Sequence, residues 1–117
     1  MKSLLIRNVL LLLAALWLAS AAQAQADYYV DITNRTGYVI HRIHVSPVDS
    51  DSWEADLLGS SVLPHGQTFR VHLRGYRSPM FDVRLVDQDG DTYTYRRVDV
   101  ARRDIVALPT HLDPRRR

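Results

Sequence analysis

Phe81-Asp82-Val83-Arg84-Leu85-Val86-Asp87-Gln88-Asp89-Gly90-Asp91-Thr92-Tyr93-Thr94-Tyr95 is the stretch that decides the fold class. Phe81, Val83 and Leu85 alternate with Asp82, Arg84 and Val86. A period of two sends successive side chains to opposite faces, which a strand does and a helix does not. Asp87-Gln88-Asp89-Gly90 interrupts the pattern with turn residues, and Gly90 supplies the positive φ that a tight hairpin requires. Alternation resumes from Thr92 to Val100, with Tyr93 and Tyr95 sharing a face. Two alternating runs joined by Asp-Gly spell a β-hairpin.

The same period governs the chain upstream. Tyr28, Val30 and Ile32 alternate with Tyr29, Asp31 and Thr33, and Asn34-Arg35-Thr36-Gly37 turns the chain. A second strand runs from Tyr38 to about Ser46, with Val39, Ile43 and Val45 on one face. Ile40 is out of that phase, which implies a bulge or a strand covered on both sides. Pro64-His65-Gly66 leads into a third alternating run carrying Phe69, Val71 and Leu73, and Arg74 to Pro79 reads as a polar loop. Ile105 to Leu108 is a short last strand. Residues 51–58 differ in kind. Asp51 and Glu54 have capping-box spacing and Gly59 can close a turn, so a short helical turn is expected there, laying Trp53, Leu57 and Leu58 over the sheet. The expected fold class is all-β: a small antiparallel β-sandwich of about six or seven strands, with that one helical turn.

Residues 1–26 read as a cleaved signal peptide. Lys2 and Arg7 form a positive start, Val9 to Ala19 is unbroken apolar sequence, and both Ala22-Gln23-Ala24 and Ala24-Gln25-Ala26 fit the small-x-small cleavage pattern. The apolar run is too short for the ~20 residues that span a bilayer. The mature chain is thus expected to carry no integral membrane segment and to be periplasmic or secreted. Within it, 27–109 is one domain and 110–117 a loose basic C-terminal tail. Of its 91 residues 35 are apolar, enough for one modest core. The chain has no cysteine, which excludes disulfides, thiolate metal sites and cysteine nucleophiles. Residues 27–117 hold 13 arginines against 13 acids, and without Arg115, Arg116 and Arg117 the body stands at −3. A nucleic-acid binder needs a basic body, so that class is disfavoured.

Asn34-x-Thr36-Gly37-Tyr38-x-Ile40, Val45-Ser46-Pro47, Trp53-x-x-Asp56-Leu57-Leu58-Gly59, Leu63-Pro64-x-Gly66, Phe81-Asp82-Val83-Arg84 and Asp89-Gly90 together cover most of the mature chain. This pattern resembles a family of small exported bacterial β-sandwich proteins to which no reaction is assigned. The resemblance implies a β-sandwich and an exported location, and no catalytic residues. It also implies cysteines near the positions of Met80 and Ala101, and both are absent here.

The chemistry-bearing candidates are few. Asp87-x-Asp89-Gly90-Asp91 has Gly fourth rather than sixth and Val98 rather than Glu twelfth, so it is a hairpin turn and not an EF-hand loop. Asp49, Asp51, Glu54 and Asp56 surround Trp53, and their oxygens could take a hard cation such as calcium if the loop curled around it. His41 and His44 are three apart and fall on opposite faces of a regular strand, while His72 alternates with Val71 and Leu73 and faces solvent. No serine lies in a Gly-x-Ser-x-Gly elbow. Asn34-Arg35-Thr36 matches the glycosylation pattern, but the turn accounts for it. Arg42, Arg70, Arg84, Arg96 and Arg97 fall on polar faces beside Asp31, Asp82 and Asp99, an arrangement suited to cross-strand ion pairs.

The expected function is that of a non-catalytic module that binds an envelope or secreted partner, with no cofactor. The alternative is a small ligand- or calcium-binding protein using Asp49, Asp51, Trp53 and Asp56. Trp53 is expected to be mostly buried against Phe69, Phe81 or Val83 as part of the core.

Overall fold

The computed structural model describes residues 25–115, so the expected leader lies outside the described residues apart from Gln25 and Ala26. The described chain is all-β. Six strands follow in order: β1 Ala26–Asn34, β2 Ile40–Pro47, β3 Thr68–Tyr76, β4 Met80–Asp87, β5 Thr92–Asp99 and β6 Ile105–Ala107. They form two three-stranded sheets, β3-β1-β6 and β2-β4-β5. Each alternating run read from the sequence is one of these strands, although β2 begins at Ile40 rather than Tyr38, leaving Val39 out of the core face, and β3 continues through Tyr76 into the expected polar loop. The apolar sets meet in a single buried cluster: Val30, Ile32, Val71, Leu73 and Ile105 from the first sheet, and Ile43, Val45, Phe81, Val83, Leu85, Tyr93 and Val98 from the second. Tyr76 of β3 meets Phe81 of β4 edge-on at 4.9 Å between ring centres, a favoured aromatic geometry.

Two bulges reset the phase of the alternation. In β2 the register against β4 shifts between Ile40 and Arg42, which lets Ile40 and Ile43 both be fully buried although their spacing is odd. In β5 the shift lies opposite Phe81 and Val83. Arg97 there has φ 53°, a left-handed conformation that a bulge residue adopts and a regular strand residue does not. The extra residue returns Val98 to the face of Tyr93.

Asn34 ties the two sheets together from the end of β1. Its side chain is fully buried. Nδ2 donates to the carbonyls of Tyr38 (2.7 Å) and Leu63 (2.9 Å), and Oδ1 accepts from Thr36 N–H (3.0 Å) and the Thr36 hydroxyl (2.7 Å). Leu63 in turn exchanges both backbone hydrogen bonds with Ile40 at 2.9 Å. The Asn34-to-Gly37 turn is therefore welded to the segment that leads into β3.

Four expectations are corrected. The fold is not wholly antiparallel, because β6 pairs in parallel with β1, with Ile32, Thr33 and Asn34 opposite Ile105, Val106 and Ala107. The chain crosses from the second sheet back to the first after β5 and enters beside β1 in the same direction, and Asp104 Oδ1 accepts Asp31 N–H at 3.0 Å to fix the entry. Second, residues 51–58 form no helical turn. Their backbone donors are spent on β2 instead: Glu54 N–H donates to Ser46 Oγ (2.8 Å) and Leu57 N–H to the Ile43 carbonyl (2.9 Å). One short 3₁₀ turn occurs elsewhere, at Pro109–His111. Third, the segment after Pro109 is not loose as far as Arg115. Asp113 accepts from the hydroxyls of Thr92 and Thr94 and from Thr94 N–H (3.2 Å), and its own N–H donates to the Thr92 carbonyl (2.8 Å). It thereby covers the outer edge of β5. Fourth, Trp53 is not a core residue. It is largely buried, as expected, but Leu58 and Leu63 fill the core at that end, and the indole packs against Arg84 and Arg96 on the outer face instead.

Among the described residues no helix is long and apolar enough to cross a membrane.

Candidate functional site

The acidic segment does not close into a cation loop. Asp49, Asp51 and Glu54 are exposed. Asp56 is consumed by the fold: Oδ1 accepts from Ile43 N–H (2.9 Å) and Leu58 N–H (3.1 Å), and Oδ2 from Gly59 N–H (3.1 Å). Burial alone pushes the Asp56 carboxyl up, but those three N–H donors outweigh it and hold the group below the ordinary carboxylate range. Among the described residues the carboxylates that do converge are those of Asp87, Asp89 and Asp91 in the β4–β5 turn. They too are engaged. Asp87 Oδ1 accepts from Asp89 N–H (2.9 Å) and Asp91 N–H (3.0 Å), Oδ2 accepts from the Tyr93 hydroxyl (3.2 Å), and Asp91 takes Arg115 bidentately at 3.0 and 2.8 Å. Burial and the neighbouring Asp87 push the Tyr93 phenol up to about 12, so it is a hydrogen-bond donor at any ordinary pH.

The histidines are dispersed. His44 Nδ1 lies 2.8 Å from the Glu54 carbonyl, His65 Nδ1 accepts Gly37 N–H at 3.0 Å, and His111 Nδ1 lies 2.9 Å from the Tyr95 hydroxyl. His72 is exposed. Among the described residues no serine hydroxyl bonds a histidine.

What the fold does assemble is an aromatic and cationic patch on the outer face of the β2-β4-β5 sheet. The segment after β2 lays Trp53 across β4 and β5, where the Arg84 and Arg96 guanidinium carbons sit 4.7 and 5.1 Å from the centre of its ring. Such contacts contribute about 0.5–1 kcal/mol each where water has access. Across the strands, His44, Arg84 and Thr94 form one row. In the next, Asp82 is only 8% exposed and accepts from Arg96 Nη1 (3.1 Å) and Arg97 N–H (2.9 Å). A single carboxylate thus holds the β5 bulge in place and aims Arg96 at the indole.

The arginines in this patch are not alike. Of the expected cross-strand pairs, Arg70 meets Asp31 at 2.8 Å and Arg96 meets Asp82 at 3.1 Å. The Arg70 hydrogen bond holds the Asp31 carboxyl below its ordinary range. Arg84 has no ion pair among the described residues. It is also the one described arginine that is not exposed. Its Nε donates to Thr94 Oγ1 at 3.3 Å, and that hydroxyl in turn donates a hydrogen bond to Asp113 Oδ2. A shallow groove runs from Arg84 past Thr94 to Asp113 and Arg115, and a smaller hollow lies on the other side of Arg96, between Trp53 and Ser46.

Of the four residues singled out in the sequence, only Trp53 belongs to this patch as a contact surface. Asp51 borders the smaller hollow, while Asp49 has no role in the geometry. Arg84, Arg96 and Asp82 were legible as outward positions of alternating strands. Their convergence on Trp53 was not, because it depends on the path of the segment after β2.

No family model matches the chain, and no curated protein or solved structure matches it either.

Proposed function

We propose that the protein is an exported, non-catalytic module that binds a partner molecule through the outer face of the β2-β4-β5 sheet. One observation carries this reading: the chain's Trp53 is kept out of a small core that could have used it and packs half-buried against two arginines on the outer face. Tryptophan and arginine at a half-exposed centre are the residue types that dominate binding interfaces. A chain with 35 apolar residues beyond position 26 gives up stability by leaving its large indole outside, which argues for a use at the surface.

Export rests on the charged start, apolar run and alanine cleavage pattern. The fold adds a preference between the two sites. Ala26 is the first residue of β1 and pairs with Tyr76, so cleavage after Ala24 leaves β1 whole whereas cleavage after Ala26 trims it. N-terminal sequencing of the exported chain is expected to read Gln25. The calcium alternative finds no support in the geometry, since Asp56 is committed to backbone N–H groups and Asp49, Asp51 and Glu54 do not converge.

The binding face is tested by placing a photo-crosslinking amino acid at position 53 and, as control, at Val106, which is exposed on the other sheet. A discrete adduct from position 53 and none from position 106, formed in the producing cell, is the expected result. Equal labelling from both positions, or adducts from 106 alone, would refute the assignment of the face.

A further inference from the structure

We propose that Arg84 is the anchor of a carboxylate-binding site, and that the partner presents a single acidic side chain to it. This rests on the partner-binding reading above and names the chemistry of the contact. Arginine carries five N–H donors in a planar fork. At Arg84 one of them, on Nε, is committed to Thr94, and the terminal nitrogens have no protein partner among the described residues. The guanidinium is held from two sides, by the Trp53 ring at 4.7 Å and by the Thr94 hydroxyl, so its orientation is fixed before anything binds. None of its polar atoms is sealed from solvent without a partner, and its side chain lines the groove. A half-buried, pre-oriented fork with free terminal N–H groups is matched by the two oxygens of a planar carboxylate, which accept from it bidentately.

The surroundings narrow the class of anion. Arg96 and Arg115 also border the groove, but each is already paired, with Asp82 and Asp91. Asp113 adds a third carboxylate, tied to Thr92 and Thr94. The groove thus holds Arg84, Arg96 and Arg115 with Asp91 and Asp113, and Asp82 neutralises Arg96 from outside it, so the charges of the patch balance. A polyanion or a dianionic phosphate needs more uncommitted positive charge than such a balanced field leaves. A single carboxylate needs only the one guanidinium whose donors are free.

The test uses the purified full chain labelled with nitrogen-15 and two capped seven-residue peptides that differ at one central position, Glu in one and Gln in the other. Inorganic phosphate at matched ionic strength is the third probe. The Glu peptide is expected to shift the Arg84 Nε–H and Trp53 indole N–H resonances saturably, and the Gln peptide and phosphate are not. Arg84→Gln is expected to weaken the Glu peptide at least ten-fold with the backbone spectrum otherwise retained. Arg84→Lys, which keeps the charge and loses the fork, is expected to give a similar loss and serves if the Gln variant does not fold. Saturable shifts with the Gln peptide or with phosphate, unchanged affinity in Arg84→Lys, or no response to the Glu peptide would each overturn the carboxylate site. A position-53 adduct obtained alongside such a failure leaves the binding face standing and removes only the proposed chemistry, whereas peptide binding without any adduct does the reverse.

Discussion

Replacing Asn34 by alanine removes four hydrogen bonds from a fully buried side chain, and the local geometry says which of them matter most. The Leu63 carbonyl keeps Ile40 N–H as a donor, and the Thr36 hydroxyl, released from Oδ1, lies 3.1 Å from the Tyr38 carbonyl and can turn its proton to it, so neither carbonyl is orphaned. Thr36 N–H has no second acceptor and would be left unpaired. Three lost bonds at about 0.5–1.5 kcal/mol each and one unpaired buried donor at about 1–3 kcal/mol give a cost of about 5 kcal/mol. A domain of this size is stable by roughly 5–14 kcal/mol, so this one truncation removes a large part of the total. In a thermal melt it corresponds to a drop of roughly 20–40 °C. Urea unfolding followed by far-ultraviolet circular dichroism gives the same quantity at constant temperature. Asn34→Asp is the sharper companion: it keeps the acceptor but turns the donating nitrogen into an oxygen facing two carbonyls. Its defect should be as large at neutral pH and should narrow as acid protonates the new carboxyl. A loss below about 1.5 kcal/mol in Asn34→Ala would refute the view that this side chain joins the β1 turn to the Leu63 segment.

Trp53→Ala should cost about 1–2 kcal/mol, two surface cation–π contacts and partial burial, rather than the 3–5 kcal/mol of a core tryptophan; a melt that falls by the larger amount would restore Trp53 to the core. Met80 pairs with Asp99 and Val100 N–H donates to the Pro79 carbonyl at 3.0 Å, so positions 80 and 101 lie on adjoining chain. The double variant Met80→Cys, Ala101→Cys should oxidise without disturbing the fold and add about 3 kcal/mol by closing its loop, read as the difference between oxidised and reduced urea midpoints. The folded Asp56 carboxyl is depressed below its ordinary value of 3.8, so the stability it contributes is complete above about pH 4 and is lost as the pH falls through the folded value. Asp56→Asn should therefore be less stable at neutral pH and show a shallower loss on acidification, and a parallel acid titration of the two proteins would count against the assignment.

The strands were legible because each carries its own alternation and each turn its own glycine or asparagine, and both are local properties. The β2 bulge was legible for the same reason, since Ile40 and Ile43 cannot share a face of a regular strand. The β5 bulge left an equivalent trace in the odd spacing between Tyr95 and Val98, two residues the core needs on one side. What sequence did not disclose was non-local. The helical turn expected at 51–58 had sound capping chemistry, but Asp56 was recruited by Ile43, thirteen positions away, and the edge of β2 outcompeted the helix. Trp53 followed from that loss: without the turn it has no route into the core and lies on the outer face instead. The direction of β6 and the docking of Asp113 likewise depend on which sheet the chain returns to after β5, which no period encodes.

The parallel pairing of β6 with β1 sets a timetable for the chain as it is made. β1 is synthesised first among the strands and lies at the centre of its sheet, yet one of its flanks is completed only by Ile105, Val106 and Ala107, more than seventy positions later. Until those residues emerge, the Ile32-to-Asn34 end of β1 offers an unmatched row of backbone groups on that flank, and Arg35 N–H lacks the Ala107 carbonyl that it reaches at 2.8 Å in the finished fold. Contacts so remote in sequence form slowly, because the intervening chain must surrender its freedom before they give anything back. The flank of β1 is thus left unfinished until the chain has been made as far as Ala107.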